Sequence, residues 1–201
     1  MPFFAPQTQS ETHALATFLR HQCAQLRTTA HQLSSDQARL TPSPSDLSIG
    51  GLLLHNAQVV HGWLTTAMRA PEPTPVEMYA DISARLGLAE MFSGAEAPET
   101  MSLHEILEIY DRAVDFIYEA ETSIDPDVLI PGPNNPWMPE DMVITGSWVW
   151  LHLITEVARH AGHADLIRET TDGKISYQLN FLADGGTEEE WAAEVAAYWT
   201  P

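Results

Sequence analysis

Four long segments without proline dominate this sequence, and they decide which class of fold it can adopt. In each segment apolar residues recur at three- and four-residue spacing, the period of an amphipathic helix. All fourteen prolines lie outside these segments. Because proline cannot donate the hydrogen bond that a helix interior needs, the distribution favours four helices of about 20–25 residues. The sequence therefore predicts an all-α fold, an antiparallel four-helix bundle.

Capping residues mark several ends of these helices. Ser45 or Asp46 is suited to begin the second helix. Ser102 and Glu105 form a capping box at the start of the third, because each side chain can bond to the backbone of the other. Gly173 is typical of the residue that ends a helix, here the fourth.

The connections are less regular than the helices. Residues 76–92 carry a mixed pattern that is compatible with a short helix. Residues 125–141 form a long proline-rich loop, of a length that is usually functional or disordered. Its Trp137 and Met138 could cover a pocket or fill ordinary core.

The domain organisation is expected to be simple. Residues 1–173 should form the bundle, and residues 174–201 a small C-terminal extension. Within the extension, Ser176–Leu182 alternates apolar and polar residues, which predicts a short strand or extended arm. Thr187 and Glu190 form a second capping box, so a final helix should follow.

Composition excludes several classes of partner. The chain has 28 acidic and 9 basic residues, a formal net charge of −19. Such a surface repels nucleic acid and anionic membranes, so neither is expected as a partner. The sequence shows no apolar run of membrane-spanning length and no secretory signal. With Cys23 as the single cysteine, the chain is expected to be cytoplasmic.

The fourth segment, Ser147–Glu169, places ionisable residues where the helix should face the core. At ~100° per residue, His152, Glu156, His160 and His163 fall within roughly 80° of arc, together with apolar residues. Buried ionisable groups must be paired or must hold a metal, because leaving them unsatisfied is costly. This face therefore indicates either core histidines in a hydrogen-bond network or a metal site.

A metal site at Glu156 and His160 needs a further ligand from another helix. His55, beside the apolar face of the second helix, is the natural donor, and His152 is a less favoured alternative. Gly50-Gly51, one turn earlier, predicts a close approach of the fourth helix. A His, Glu, His set leaves a coordination position open, which is typical of catalytic zinc and suits the activation of water or a thiol. Nickel, iron, manganese and cobalt accept the same donors.

Two motifs carry a family resemblance over about residues 10–173. Leu54-His55-Asn56 on the second helix and Glu156–Glu169 on the fourth, read as EVARHAGHADLIRE, resemble the DinB/YfiT-like superfamily. The chain is most similar to the actinobacterial mycothiol-transferase-like branch, and shares its order of Glu then His with the mycothiol-dependent maleylpyruvate isomerases. The resemblance implies a four-helix bundle that binds a divalent metal.

The resemblance also implies functional roles for single residues. The metal ligands would be His55, Glu156 and His160; the catalytic or substrate-side groups would be His163 and Asp165; the cofactor would be bound by Arg159 and Arg168. The metal, most simply zinc, would hold mycothiol or a similar thiol as a thiolate that attacks a small electrophile, in transfer or isomerisation. The alternative is a stress-related bundle that binds metal or a small ligand without turnover. A homodimer is compatible with either.

Overall fold

The structure, a computed structural model, describes residues 4, 10–75, 77–88, 97–131 and 142–198. These residues confirm the predicted all-α bundle with a small C-terminal extension. The helices are α1 (Glu11–Thr28), α2 (Ser35–Arg39), α3 (Ile49–Arg69), α4 (Met78–Leu86), α5 (Leu103–Ser123), α6 (Gly146–Asp172), α7 (Ser176–Ala183) and α8 (Glu188–Tyr198). Strands β1 (Leu129–Ile130) and β2 (Ile144–Thr145) form an antiparallel pair. Trp137 and Met138 lie outside the described residues.

Helices α1, α3, α5 and α6 form the bundle, and two neighbouring pairs run parallel. In the pair α3 and α5, Gly50 lies near Ile106 and His61 stacks on Phe116, so both helices begin at the same end. In the pair α1 and α6, Arg168 near the end of α6 reaches the end of α1. The expectation of an antiparallel bundle is therefore wrong for these pairs.

The remaining neighbours are antiparallel. On α3 and α6, His55 contacts Glu156 while Trp63, further along α3, contacts Trp148, which lies earlier on α6. The physical reason for the mixed arrangement is the connection of residues 70–102. It carries α4 and returns the chain along the bundle, so that α5 can start beside the start of α3.

Helix ends follow the capping pattern with one correction. The capping box of Ser102 and Glu105 is present at the start of α5. Helix α3 begins at Ile49, and its cap is Ser48, whose hydroxyl accepts the amide of Gly51 at 3.1 Å. The predicted caps, Ser45 or Asp46, lie three and two residues before the observed cap. The prediction missed because several adjacent polar residues share the chemistry of an N-cap.

The described part of the C-terminal extension carries two helices, α7 and α8. Ser176–Ala183 is helix α7, so the predicted strand or extended arm is wrong. Leu179 and Leu182, three residues apart, are both buried, which is the period of a helix face. Asn180 exchanges two side-chain hydrogen bonds with Gln25 of α1, at 3.0 and 2.9 Å. Helix α8 confirms the predicted final helix.

Gly50 permits a close approach, but not the expected one. A Cβ at this position would lie 3.2 Å from the carbonyl oxygen of Ala38 and 3.3 Å from Ile106, on α2 and α5. The glycine therefore serves packing on the side of α3 that faces away from α6. None of the described helices combines the length and apolar character needed to cross a membrane.

Candidate metal centre

Three side chains meet at the seam between α3 and α6. His55 lies two turns into α3, and Glu156 and His160 lie one turn apart on α6. The Nε2 atoms of His55 and His160 approach the same oxygen, Glu156 Oε1, at 3.5 and 3.1 Å. Residues four apart on a helix stack above one another, so α6 alone presents two of the three groups.

The spacing of these atoms fits a metal ion. Bonds from zinc to nitrogen or oxygen are about 2.0–2.2 Å, so neighbouring ligand atoms of a tetrahedral site are roughly 3.4 Å apart. The two distances from Glu156 Oε1 bracket that value, and the candidate ligand atoms of all three residues lie within 4.8 Å of one another. Small side-chain rotations would bring all three onto one ion.

The site is partly open to solvent. The side chains of His55, Glu156 and His160 are 30%, 27% and 15% exposed. Two imidazoles and one carboxylate leave a position of a four-coordinate ion unfilled by these residues. A small molecule could therefore reach an ion held here, which separates the arrangement from a closed structural site.

The charges of the site favour deprotonated ligands. Burial works to raise the pKa of Glu156, but the charges and hydrogen bonds of His160 and His55 outweigh it, so the pKa is lowered. Burial lowers the pKa of His160, against the opposing attraction of Glu156. A carboxylate and a neutral imidazole are the forms that bind metal.

His163 lies beside this group, one turn from His160. The two rings are 5.5 Å apart between centroids in an edge-to-face arrangement. Nδ1 of each ring is buried and has no hydrogen-bond partner within the part of the chain that the structure describes. His163 is thus placed next to the candidate ligands, as the sequence led us to expect.

His152 is not brought into the group of candidate ligands. Its ring stacks on Trp148, with centroids 4.7 Å apart, and meets the ring of Trp63 edge-on at 5.2 Å. These three rings form an aromatic cluster one turn from Glu156. The cluster was missed in the sequence, although Trp148 and His152 are four residues apart on one helix and could have suggested it.

Asp165 was expected to take part in catalysis. It is nine residues from Glu156, which turns it about 180° around the axis of a regular helix. Burial, with a smaller contribution from Glu169, raises its pKa to about 6. Its role in catalysis stays a prediction.

Arg168 makes structural contacts, and its burial argues against its expected role in cofactor binding. It is 0% exposed. Its guanidinium donates to both carboxylate oxygens of Asp172, at 2.9 and 2.8 Å, and to the carbonyls of Thr29 and His31, at 2.6 and 2.8 Å. No surface remains with which it could bind a thiol. Arg159, in contrast, is exposed one residue before His160.

The fold and the site together define a class of protein: a four-helix bundle with a half-buried His, Glu, His centre between two of its helices. In the described parts of the chain, a search for His, Cys, Asp and Glu side chains close enough to share an ion finds one group of three. It consists of His55, Glu156 and His160.

Comparison with known proteins identifies the family. A family model described as mycothiol-S-transferase matches residues 14–173. The chain belongs to this mycothiol S-transferase family, within the DinB/YfiT-like group. A solved structure described as the conserved protein of locus from Enterococcus faecalis is similar in fold, with a TM-score of 0.59 and 16% identity over 83% of this chain and 100% of that chain. No curated protein matches the sequence significantly.

Proposed function

We propose that this chain is a metal-dependent transferase that joins mycothiol, or a similar low-molecular-weight thiol, to a small electrophile. The family supports thiol transfer as the class of reaction. The observation that carries the metal dependence is the convergence of two imidazole nitrogens, from two helices, on one carboxylate oxygen.

In this proposal His55, Glu156 and His160 hold a divalent ion, with zinc as the simplest candidate. When bound, such an ion supplies a positive charge that stabilises the thiol substrate as its thiolate at neutral pH. Glu156 offsets part of the ionic charge, and the half-exposed position of His55 leaves an approach for substrates. The thiolate sulfur forms a bond to a carbon of the electrophile as the bond from that carbon to its leaving group breaks. The leaving group departs with the electron pair, and the proton that the thiol loses goes to the leaving group or to solvent.

His163 is proposed as a neighbour that positions the ligands and lines the approach. Its ring edge faces His160, so it limits the rotation of that imidazole. Arg159 lies on the exposed border of the same helix, where its cationic side chain can contact a polar substrate. Both roles are weaker than those of the ligands: loss of His163 should lower metal affinity or turnover by about 10–100-fold.

The test starts with the metal content of protein purified without a metal-affinity step and dialysed against each candidate ion. We expect the wild type to bind one ion, and His160→Ala and Glu156→Gln to lose it. His104→Ala is the matched control, because His104 is a histidine on α5 whose side chain is 81% exposed. Thiol conjugation is then followed with and without a chelator, and only the loaded wild type and the control should be active.

Three outcomes would contradict the proposal in different ways. Wild-type protein that binds no divalent ion would make the three residues a polar core network. Protein that binds the ion but conjugates no thiol would be a metal-binding bundle without turnover. If His163→Ala loses the ion while Glu156→Gln keeps it, the ligands are shifted along α6 and the assignment is wrong.

A further inference from the structure

An open cavity of about 440 Å³ lies where the end of α1, the start of α2 and the start of α5 meet. Its walls come from Arg27, residues 30–35, residues 102–104 and Leu107. The candidate metal centre lies between α3 and α6, so the cavity is on the diagonally opposite seam of the bundle. Nothing in the proposed thiol chemistry uses it.

The lining of this cavity is unusual for so acidic a protein. The chain has 28 acidic and 9 basic residues, yet among the described residues no carboxylate lines the cavity. Arg27, His31 and His104 do line it, with three serines between them. Arg27 carries the permanent positive charge of this lining, and a cationic group in a concave surface attracts anions.

Arg27 and two serines offer hydrogen-bond donors to this cavity. Arg27 binds Asp111 through Nε and Nη2, which leaves its Nη1 group free of partners among the described residues. The hydroxyl oxygens of Ser34 and Ser35 each accept a backbone amide, so their hydrogens remain to be donated. A ligand that satisfies these groups must be an acceptor, as an ionised carboxylate or phosphate is.

The ring of His31 lies in the same wall. Its Nε2 atom is buried and has no partner within the described ranges of the chain. Its carbonyl is held by Arg168 at 2.8 Å, which fixes the backbone that carries the ring. Burial lowers the pKa of His31, and the positive charges of Arg168, Arg27 and Lys174 lower it further. The surroundings of this ring are thus electropositive although the chain is acidic.

We propose that this cavity binds a small organic anion, with its carboxylate or phosphate group at Arg27 Nη1 and the hydroxyls of Ser34 and Ser35. The aliphatic residues Leu33, Leu103 and Leu107 form the apolar part of the lining and would contact a short apolar body of the ligand. The site is independent of any metal at His55, so the two assignments can fail separately.

The test uses the full chain after treatment with a chelator, at constant ionic strength. Histidine ring signals are followed by NMR while inorganic phosphate, phenyl phosphate or benzoate is added. We expect a saturable shift of the His31 signals, with a phenyl compound binding more tightly than inorganic phosphate; the better phenyl ligand identifies the anion type. Arg27→Met should weaken binding about tenfold or more, because it removes a charge-assisted hydrogen bond.

A control variant completes the design. Arg159→Met removes an exposed cation elsewhere and should bind as the wild type does. The Arg27–Asp111 pair is half exposed, so its loss should leave folding intact. Each of three results would overturn the proposal. These are the absence of a saturable shift at His31, equal binding by the wild type and Arg27→Met, and uniform shifts of all histidines.

Discussion

Replacing Arg168 by methionine should destabilise the whole bundle without acting directly on thiol binding. The guanidinium lies between α6 and the end of α1, and four of its hydrogen bonds go to Asp172 and to the carbonyls of Thr29 and His31. Methionine keeps much of the apolar stem but none of the donors. The variant therefore separates the packing contribution of the side chain from its charge.

The expected loss follows from these contacts. Removing one partner of a buried ion pair costs about 3–5 kcal/mol. The side chain of Asp172 is 21% exposed and can be hydrated, which favours the lower part of that range. The two carbonyls also lose their donor, which adds to the cost. We therefore expect the free energy of unfolding to fall by about 3–4 kcal/mol. For a domain of this size, that corresponds to a fall in Tm of about 6–16 °C.

Urea unfolding followed by circular dichroism measures this loss. Arg168→Lys should lose less, because lysine keeps the charge but not the planar fork that matches a carboxylate. Arg159→Met is the matched control on the same helix, and its free energy of unfolding should change by less than about 0.5 kcal/mol. If Arg168→Met unfolds as the wild type does but needs more thiol for saturation, Arg168 binds the cofactor and the structural role is refuted.

Three further predictions concern stability. Burial lowers the pKa of His61 to about 4, so the histidine resists protonation in the folded protein. The free energy of unfolding should therefore fall by up to about 2–3 kcal/mol as the pH drops from 6.5 towards 4. His61→Phe keeps a ring stacked on Phe116 and should remove that part of the pH dependence. Gly146→Ala should destabilise the fold by about 1–3 kcal/mol in urea unfolding, because its Cβ would lie 2.1 Å from the carbonyl oxygen of Asp125. Gly162→Ala should stabilise it by about 0.5–1 kcal/mol in the same assay, since no described atom beyond the neighbouring residues and the backbone of the same helix turns lies within 4 Å of the new methyl. The first prediction is contradicted if His61→Phe leaves the pH dependence of stability unchanged. The second is contradicted if Gly146→Ala unfolds as the wild type does, and the third if Gly162→Ala lowers the free energy of unfolding.

Local pattern was enough to predict the helices and part of the candidate site. Helix period depends only on neighbouring residues, so apolar spacing and the proline positions indicated α1, α3, α5 and α6 in advance. The same period placed Glu156 and His160 one above the other on α6. The candidate ligand from a second helix, His55, was predicted through its position beside an apolar face and through the family resemblance.

Other features depended on contacts between distant parts of the chain. The direction of α5 relative to α3 was not predictable, because a connection as long as residues 70–102 permits either direction. The sequence places Arg168 and Glu156 in one motif, but only the packing of α1 against α6 buries Arg168. The same holds for the cavity beside His31.

The amino-acid sequence by itself thus determined the helical class, the capping boxes and the spacing of Glu156 and His160, because each is a property of a few consecutive residues. Tertiary structure alone decided which helices run parallel, which charged side chains are buried and which face solvent. Those outcomes depend on how α1, α3, α5 and α6 share one core, and burial free energy is a sum over all four helices, not a property of any one of them.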